Sequence, residues 1–149
     1  MFENDVKEFE FNGTVYPYKC DMLVLEKIQK HTGDLMTAED KLRGFRPKID
    51  ADGVMDRLAG TYTLPDIELV AKTLCWMIEE GIEITGSDIE PLKENDLKRG
   101  WRDEYSLVEV AILVAGEFGA CVSGKKKNGT ETVTENKKLT GTKTRKRNS

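Results

Sequence analysis

The side chains that could carry out acid–base or nucleophilic chemistry are few in this sequence. His31 is the single histidine, so a Ser–His–Asp or Cys–His site would have to use it, and no nucleophile motif surrounds any serine or cysteine. Neighbouring acids such as Glu79 and Glu80, or Asp103 and Glu104, point to different sides of a helix. They therefore favour solvated faces over catalytic pairs, and the sequence predicts a protein that is not an enzyme.

Metal and cofactor sites have as little support in the sequence. The three cysteines, Cys20, Cys75 and Cys121, are far apart and form no CxxC pair, which favours reduced, mostly buried thiols in a cytoplasm. Segment 50–53 (DADG) invites a calcium interpretation, but it lacks the third acid and the later glutamate of an EF-hand loop. We expect no catalytic, cofactor-binding or metal-binding residues.

Charge divides the chain into two unlike parts. The 149 residues carry a formal net charge of −4, but residues 124–149 are at +7 and the rest of the chain is at −11. A basic tail can make weak, salt-dependent contacts with nucleic acid, yet an acidic body repels phosphate and no recognition motif is present. Few apolar residues follow Ser123, so we predict a disordered tail over 124–149. No apolar run reaches the roughly 20 residues that a membrane-spanning helix needs.

Asn12-Gly13 gives the clearest structural signal in the chain. Both positions tolerate the positive φ of a type I′ turn, so the sequence predicts a β-hairpin over residues 6–20. Cross-strand partners share a face, and this turn therefore places four aromatic residues on one side. A lone hairpin is marginal in water, so the aromatic face must pack on helices or on another subunit. The predicted pairs are Phe11 with Thr14, Phe9 with Tyr16 and Lys7 with Tyr18, and the aromatic face consists of Phe9, Phe11, Tyr16 and Tyr18.

Capping residues and apolar periodicity predict helices over most of the chain between this hairpin and the tail. Asp21 caps the first of these helices and Gly33 ends it, while Asp52 caps a later short one. Gly81 ends the helix that begins near Thr63. The predicted helices cover residues 22–32, 37–43, 53–59, 64–80, 91–99 and 107–122, with a connection at 45–52 and a short strand or extended link at 82–85.

Several residues outside the hairpin are candidates for contacts with a partner. The helix 107–122 is apolar around nearly its whole circumference, which indicates either a central core helix or an assembly surface. Small residues recur along it at four-residue spacing and would let another helix approach closely, within this chain or in another. Trp76 lies beside the apolar stripe of its helix and either extends the core or is an exposed anchor. The candidate partner-binding residues are Phe9, Phe11, Tyr16, Tyr18, Trp76, Ala111, Ala115 and Gly119.

These elements predict a mainly α fold. A small helical domain with an N-terminal β-hairpin would occupy residues 1–123, and the disordered basic tail would occupy residues 124–149.

The segment EFEFNGTVYPYKCDMLVLEKIQKHTGD resembles the start of tail assembly chaperones of long-tailed phages and prophages. The matching features are an aromatic Asn-Gly hairpin followed by an amphipathic helix, and the likeness in length, acidity and helical character covers roughly residues 6–120. The resemblance implies a non-enzymatic protein, in the cytoplasm of a bacterial host, that coats the tape measure protein and helps recruit tail-tube subunits. The residues that carry it are Phe9, Phe11, Asn12, Gly13 and Tyr16, followed by 21–33.

Such chaperones are commonly made in two forms from one gene, because ribosomes sometimes slip on a run of A-rich codons. Residues 124–128 (GKKKN) could be encoded by such a run, and the tail would then be the end of the unslipped frame. The simpler alternative is a solvated basic tail. Two other interpretations of the whole chain stay open: a small acidic adaptor or regulator of a bacterium or prophage, and a nucleic-acid accessory protein that uses the tail. Self-association is compatible with each of them.

Overall fold

The first hairpin is built as the sequence predicts. The structure is a computed structural model that describes residues 6–104 and 106–124, in which β1 (Lys7–Phe11) pairs antiparallel with β2 (Thr14–Tyr18). Asn12 and Gly13 adopt positive φ angles of 53° and 78°, as the predicted turn requires. The three predicted cross-strand pairs are confirmed: Phe11 with Thr14, Phe9 with Tyr16, and Lys7 with Tyr18.

Two helices with aspartate N-caps follow the hairpin. The side chain of Asp21 accepts backbone N–H groups at the start of α1 (Met22–Thr32), which confirms the predicted beginning of that helix. Asp34 caps α2 (Leu35–Arg43) in the same way, so α2 begins slightly earlier than predicted. Gly44 ends α2 in the left-handed conformation, as the sequence indicates.

The chain after α2 forms a second antiparallel hairpin, made of β3 (Phe45–Ile49) and β4 (Met55–Tyr62). The prediction of a connection followed by a short helix in this region is wrong. The Asp50 carboxylate accepts the backbone N–H groups of Asp52 and Val54, both at 2.9 Å, and so closes a turn between the strands. Asp52 therefore does not cap a helix.

The second hairpin changes the fold class. The described residues form five helices and four strands in two separate two-stranded sheets, with 56% of those residues helical and 20% in strands. The fold is mixed α/β, and the predicted mainly α class is wrong. Val54, Met55 and Leu58 have the spacing of one helix face, but all three are exposed, so that spacing marks no buried stripe.

The third helix, α3 (Ile67–Thr85), is longer than predicted. Asp66 caps its start, and Gly86 ends it in the left-handed conformation. The predicted end at Gly81 and the strand or link at 82–85 are therefore wrong, because the helix continues through both. On the predicted apolar face, Val70, Ala71, Leu74, Met77 and Ile78 are buried, whereas Ile67 is exposed.

The last two helices are α4 (Glu94–Glu104) and α5 (Leu107–Ser123). The capping box predicted at Ser106 is confirmed, since its hydroxyl accepts the Glu109 N–H while the Glu109 carboxylate accepts the Ser106 N–H. Gly124 ends α5, and the rest of the predicted disordered tail lies outside the described residues.

The core is centred on α3, which packs against β2, α1, α2, α4 and α5. The core contains aromatic and branched side chains from elements far apart in the sequence. The largest fully buried side chains include Phe9, Phe11, Ile28, Leu42, Leu69, Leu74, Met77, Ile78, Leu97 and Phe118.

Candidate functional site

The aromatic face of the first hairpin lies in the core. Phe9, Phe11 and Tyr18 are buried, Tyr16 is partly buried, and the two phenylalanine rings stack with centroids 6.0 Å apart. A Cβ at Gly81 of α3 would lie 2.4 Å from the backbone carbonyl oxygen of Pro17, so the hairpin approaches α3 too closely for a side chain there. Phe9, Phe11 and Tyr18 therefore serve the core of the folded chain, whereas Tyr16 keeps part of its surface in solvent.

The small-residue stripe of α5 also faces the chain's own helices. Ala111 and Ala115 are buried, and α5 packs against α1, α2 and α3. A Cβ at Gly119 would lie 3.3 Å from a guanidinium nitrogen of Arg43, which places this α2 side chain over the glycine. The stripe therefore serves packing within the chain.

Trp76 lies at the edge of the core. It is partly buried against the core cluster, and its ring meets the His31 ring edge to face with centroids 6.0 Å apart. The packing alternative for Trp76 is thus the one that the structure favours. Within the part of the chain that the structure describes, no three His, Cys, Asp or Glu side chains are arranged to hold a metal ion.

Exposed apolar side chains gather instead on the second hairpin. Leu58 is 100% exposed, Tyr62 is 82% exposed, and Leu64 in the link before α3 is 75% exposed. Single exposed apolar residues are ordinary, but several on one small element make it a candidate interaction surface. We call these residues the second-hairpin set: Ile49, Val54, Met55, Leu58, Tyr62 and Leu64.

An ion pair attaches the second hairpin to α2, and ring contacts lie within the hairpin itself. Arg57 of β4 makes two hydrogen bonds to the carboxylate of Asp40, a buried residue of α2. The Arg57 guanidinium also lies over the Phe45 ring, 5.9 Å from its centroid, and that ring packs on Tyr62 at 5.4 Å. The hairpin is therefore held in a fixed position although much of its surface is exposed.

Gly44 and Gly60 allow close backbone and ring contacts at the second hairpin. A Cβ at Gly60 would lie 2.4 Å from the Phe45 ring, and one at Gly44 would lie 2.3 Å from the Thr63 carbonyl oxygen. The Thr63 N–H donates to the Gly44 carbonyl oxygen at 2.6 Å, which closes the base of the hairpin. A larger residue at Gly60 would push β4 away from β3, and one at Gly44 would collide with the backbone of the link before α3.

A cleft of about 340 Å³ lies between the second hairpin and α2. Its lining combines apolar residues, three of them from the second-hairpin set, with the charged side chains of Asp40, Arg46 and Asp66. Its lining includes Phe45, Pro47, Ile49, Met55 and Leu64, together with Thr37 and Lys41 of α2. This cleft can receive an apolar side chain from a partner.

A buried carboxylate joins the first hairpin to α5. Glu117 accepts the Cys20 N–H at 3.0 Å through one oxygen and contacts the Lys7 ammonium at 3.0 Å through the other. Burial, with the Glu117 charge as a second cause, raises the pKa of Tyr18 to about 12. Both oxygens of the acid are thus engaged, which indicates a structural role.

Two acids, Glu80 and Asp21, lie close together where α1 meets α3. A hydrogen bond with Asp21, burial and repulsion by the same carboxylate together raise the pKa of Glu80 to about 7. The sequence predicts that Glu79 and Glu80 are both simply solvated, and for Glu80 this is not the case. Glu79 itself forms an exposed ion pair with Lys27 at 3.6 Å.

The cysteines are buried to different degrees. Cys20 and Cys75 are buried, as predicted, whereas Cys121 is partly exposed. Burial raises the pKa of the Cys75 thiol to about 12 and also raises the pKa of the Cys20 and Cys121 thiols. All three groups are therefore protonated at neutral pH and are weak nucleophiles.

Comparisons of this chain with protein-family models, with curated proteins and with solved structures find no match. Among the residues that the structure describes, every helix is too short or too polar to cross a bilayer. The geometry of the second hairpin is therefore the main structural basis for assigning a function.

Proposed function

We propose that this protein is a non-enzymatic chaperone of phage tail assembly. It binds the tape measure protein and helps recruit tail-tube subunits in the cytoplasm of the bacterial host. The resemblance of the N-terminal hairpin and first helix supports the family, and the second-hairpin set is the observation that carries the binding role.

The client-binding surface is the second hairpin with its cleft. An assembly chaperone must present apolar surface to a client that is itself apolar, and it must do so without unfolding. The second hairpin meets both needs, because Leu58 is fully exposed while Arg57 beside it is fixed to Asp40.

The client segment is an amphipathic helix. One of its apolar side chains enters the cleft between Met55 and Leu64, and its neighbours on the same helix face pack on the rest of the second-hairpin set. Binding is transient, because the cleft is small and the exposed set belongs to one hairpin.

Co-expression with a fragment of the tape measure protein from the same phage or prophage tests this function. We expect a soluble complex with the unchanged chain and a loss of about tenfold or more in affinity with the double variant Leu58→Ser/Leu64→Ser. Pull-down and titration calorimetry measure the two outcomes.

Ile112→Ser provides the matched control. Ile112 is 68% exposed on α5, so this change removes a comparable apolar side chain from a different surface. A client that stays insoluble, or equal affinity losses in the control and the double variant, would contradict the proposal. So would a gene that has no tail genes beside it.

A further inference from the structure

Two cysteines that are far apart in the sequence lie side by side in the fold. Cys20 follows β2 at its junction with α1, and Cys121 lies in the last turn of α5. Each thiol affects the pKa of the other, which agrees with the close approach of their two segments.

Other contacts hold the two segments together. The Cys20 N–H donates to the Glu117 carboxylate at 3.0 Å, and Glu117 lies one helical turn before Cys121 on the same side of α5. Lys7 contacts the second oxygen of that carboxylate at 3.0 Å. The proximity of the thiols therefore follows from backbone and ion-pair contacts that do not involve sulfur.

The two thiols differ in their access to solvent. Cys20 is 3% exposed, whereas Cys121 is only partly buried at the edge of the core. A small reagent therefore reaches Cys121 first, and Cys20 is already in place behind it.

We propose that Cys20 and Cys121 form a modification site that closes to a reversible disulfide in the presence of a small-molecule disulfide such as oxidised glutathione. The Cys121 thiolate attacks one sulfur of the reagent, and one molecule of the reduced thiol leaves. The Cys20 thiolate then displaces the second molecule from the mixed disulfide. In sum, two protein thiols and one disulfide give one protein disulfide and two small thiols.

The bond would join the two ends of the described fold. It closes a loop of about 100 residues, so it restricts the unfolded chain far more than a local bond does. A reducing cytoplasm keeps the pair open, and oxidising conditions close it. No residue of the second hairpin takes part, so this site is independent of the proposed client binding.

The test uses the full chain, incubated for hours with oxidised glutathione and analysed by intact mass, peptide mapping and thermal unfolding. Burial raises the pKa of both thiols, so the exchange takes hours and not seconds. We expect loss of two hydrogen atoms, a Cys20–Cys121 cross-linked peptide, a rise in Tm of roughly 10 °C, and full reversal by dithiothreitol.

Cys75→Ser is the matched control, because Cys75 lies among Glu79, Glu94, Lys72 and Lys98 and away from the pair. This variant should still close, and Cys121→Ser should not. The proposal would be overturned if a mixed disulfide persists on Cys121 or if Cys75 takes part in the disulfide. It would also be overturned if the mass is still unchanged after the chain has been denatured, refolded and incubated with the reagent again.

Discussion

The two β-hairpins of this protein have the same simple topology but opposite surroundings. The first buries Phe9 and Phe11 in the core, where the Phe11 ring lies against Gly100 of α4, and its turn is formed by Asn12 and Gly13. The second is attached through Arg57 and leaves most of its large apolar side chains in solvent. The aromatic hairpin is thus part of the core, whereas the less aromatic one is the surface to which we assign the proposed client binding.

The two hairpins differ in how much of their apolar side chains is exposed, although both carry large apolar residues. Burying a phenylalanine removes a large apolar area from water and stabilises the fold by about 1.5–3 kcal/mol. Leaving leucine exposed adds nothing to the free energy of unfolding, so such residues on one hairpin require another explanation. The explanation that we propose is binding to a partner.

The largest expected effect is at the first hairpin. Phe9→Ala should lower the free energy of unfolding by about 3–5 kcal/mol, because it removes a fully buried ring from the core. Urea denaturation measures the change. Leu58→Ala, the matched substitution on the second hairpin, should change that free energy by less than about 0.5 kcal/mol. Similar losses in the two variants would remove the distinction between the hairpins.

An intermediate effect is expected at the attachment of the second hairpin. Asp40→Ala should lower the free energy of unfolding by less than Phe9→Ala does, because it leaves the Arg57 guanidinium, which is about a third exposed, without its carboxylate partner. Hydrogen exchange should rise in β3 and β4 while β1 and β2 stay protected.

Glu39→Ala is the control for this attachment, since Glu39 forms a more exposed ion pair with Arg43 at 3.1 Å on the same helix. It should leave exchange in β3 and β4 unchanged. If Asp40→Ala accelerates exchange equally in both hairpins, the second hairpin is not an independent unit.

The smallest effect concerns pH and the junction after the first hairpin. The pKa of Glu80 is raised to about 7 in the folded chain from its ordinary 4.5, so the folded state holds the proton more tightly than the unfolded state. Stability should therefore fall as pH rises from about 4.5 to 7 and should level off above that range. Thermal unfolding across this pH range measures the fall.

Glu80→Gln should weaken that pH dependence and raise Tm at pH 8, because it removes repulsion from Asp21. Glu83→Gln is a control on the same helix, since Glu83 makes a smaller contribution to the raised pKa. An unchanged pH slope in Glu80→Gln would show that the acid pair does not affect folding.

The first hairpin could be predicted because its signals are local and agree with one another. Asn12-Gly13 sets the turn, the turn sets the register, and the register places the aromatic residues on one face. The caps at Asp21 and Ser106 were equally local.

The second hairpin was missed because its signals conflict. Asp52-Gly53 is a hairpin turn signal, but the apolar residues around it have helical spacing, and exposed strands show no alternation of buried and exposed residues. In the structure the Asp50 side chain closes the turn, and the segment forms a hairpin.

The candidate site could not be predicted for a related reason. Apolar residues are normally assigned to the core, and the sequence does not show which of them lack a partner. Gly81 illustrates the same limit, because it was expected to end a helix. Its lack of a side chain in fact allows contact with Pro17, which follows only from the packing of the hairpin on α3.

The Glu117 contacts have a consequence for the order in which parts of the fold are completed during synthesis. Glu117 lies 97 positions after Cys20, whose N–H it accepts, and it also pairs with Lys7. A nascent chain has therefore produced its first hairpin long before α5 leaves the ribosomal tunnel. The contacts of Lys7 and of the Cys20 N–H form only after Glu117 has been synthesised, so the first hairpin is among the last parts of the described fold to be completed.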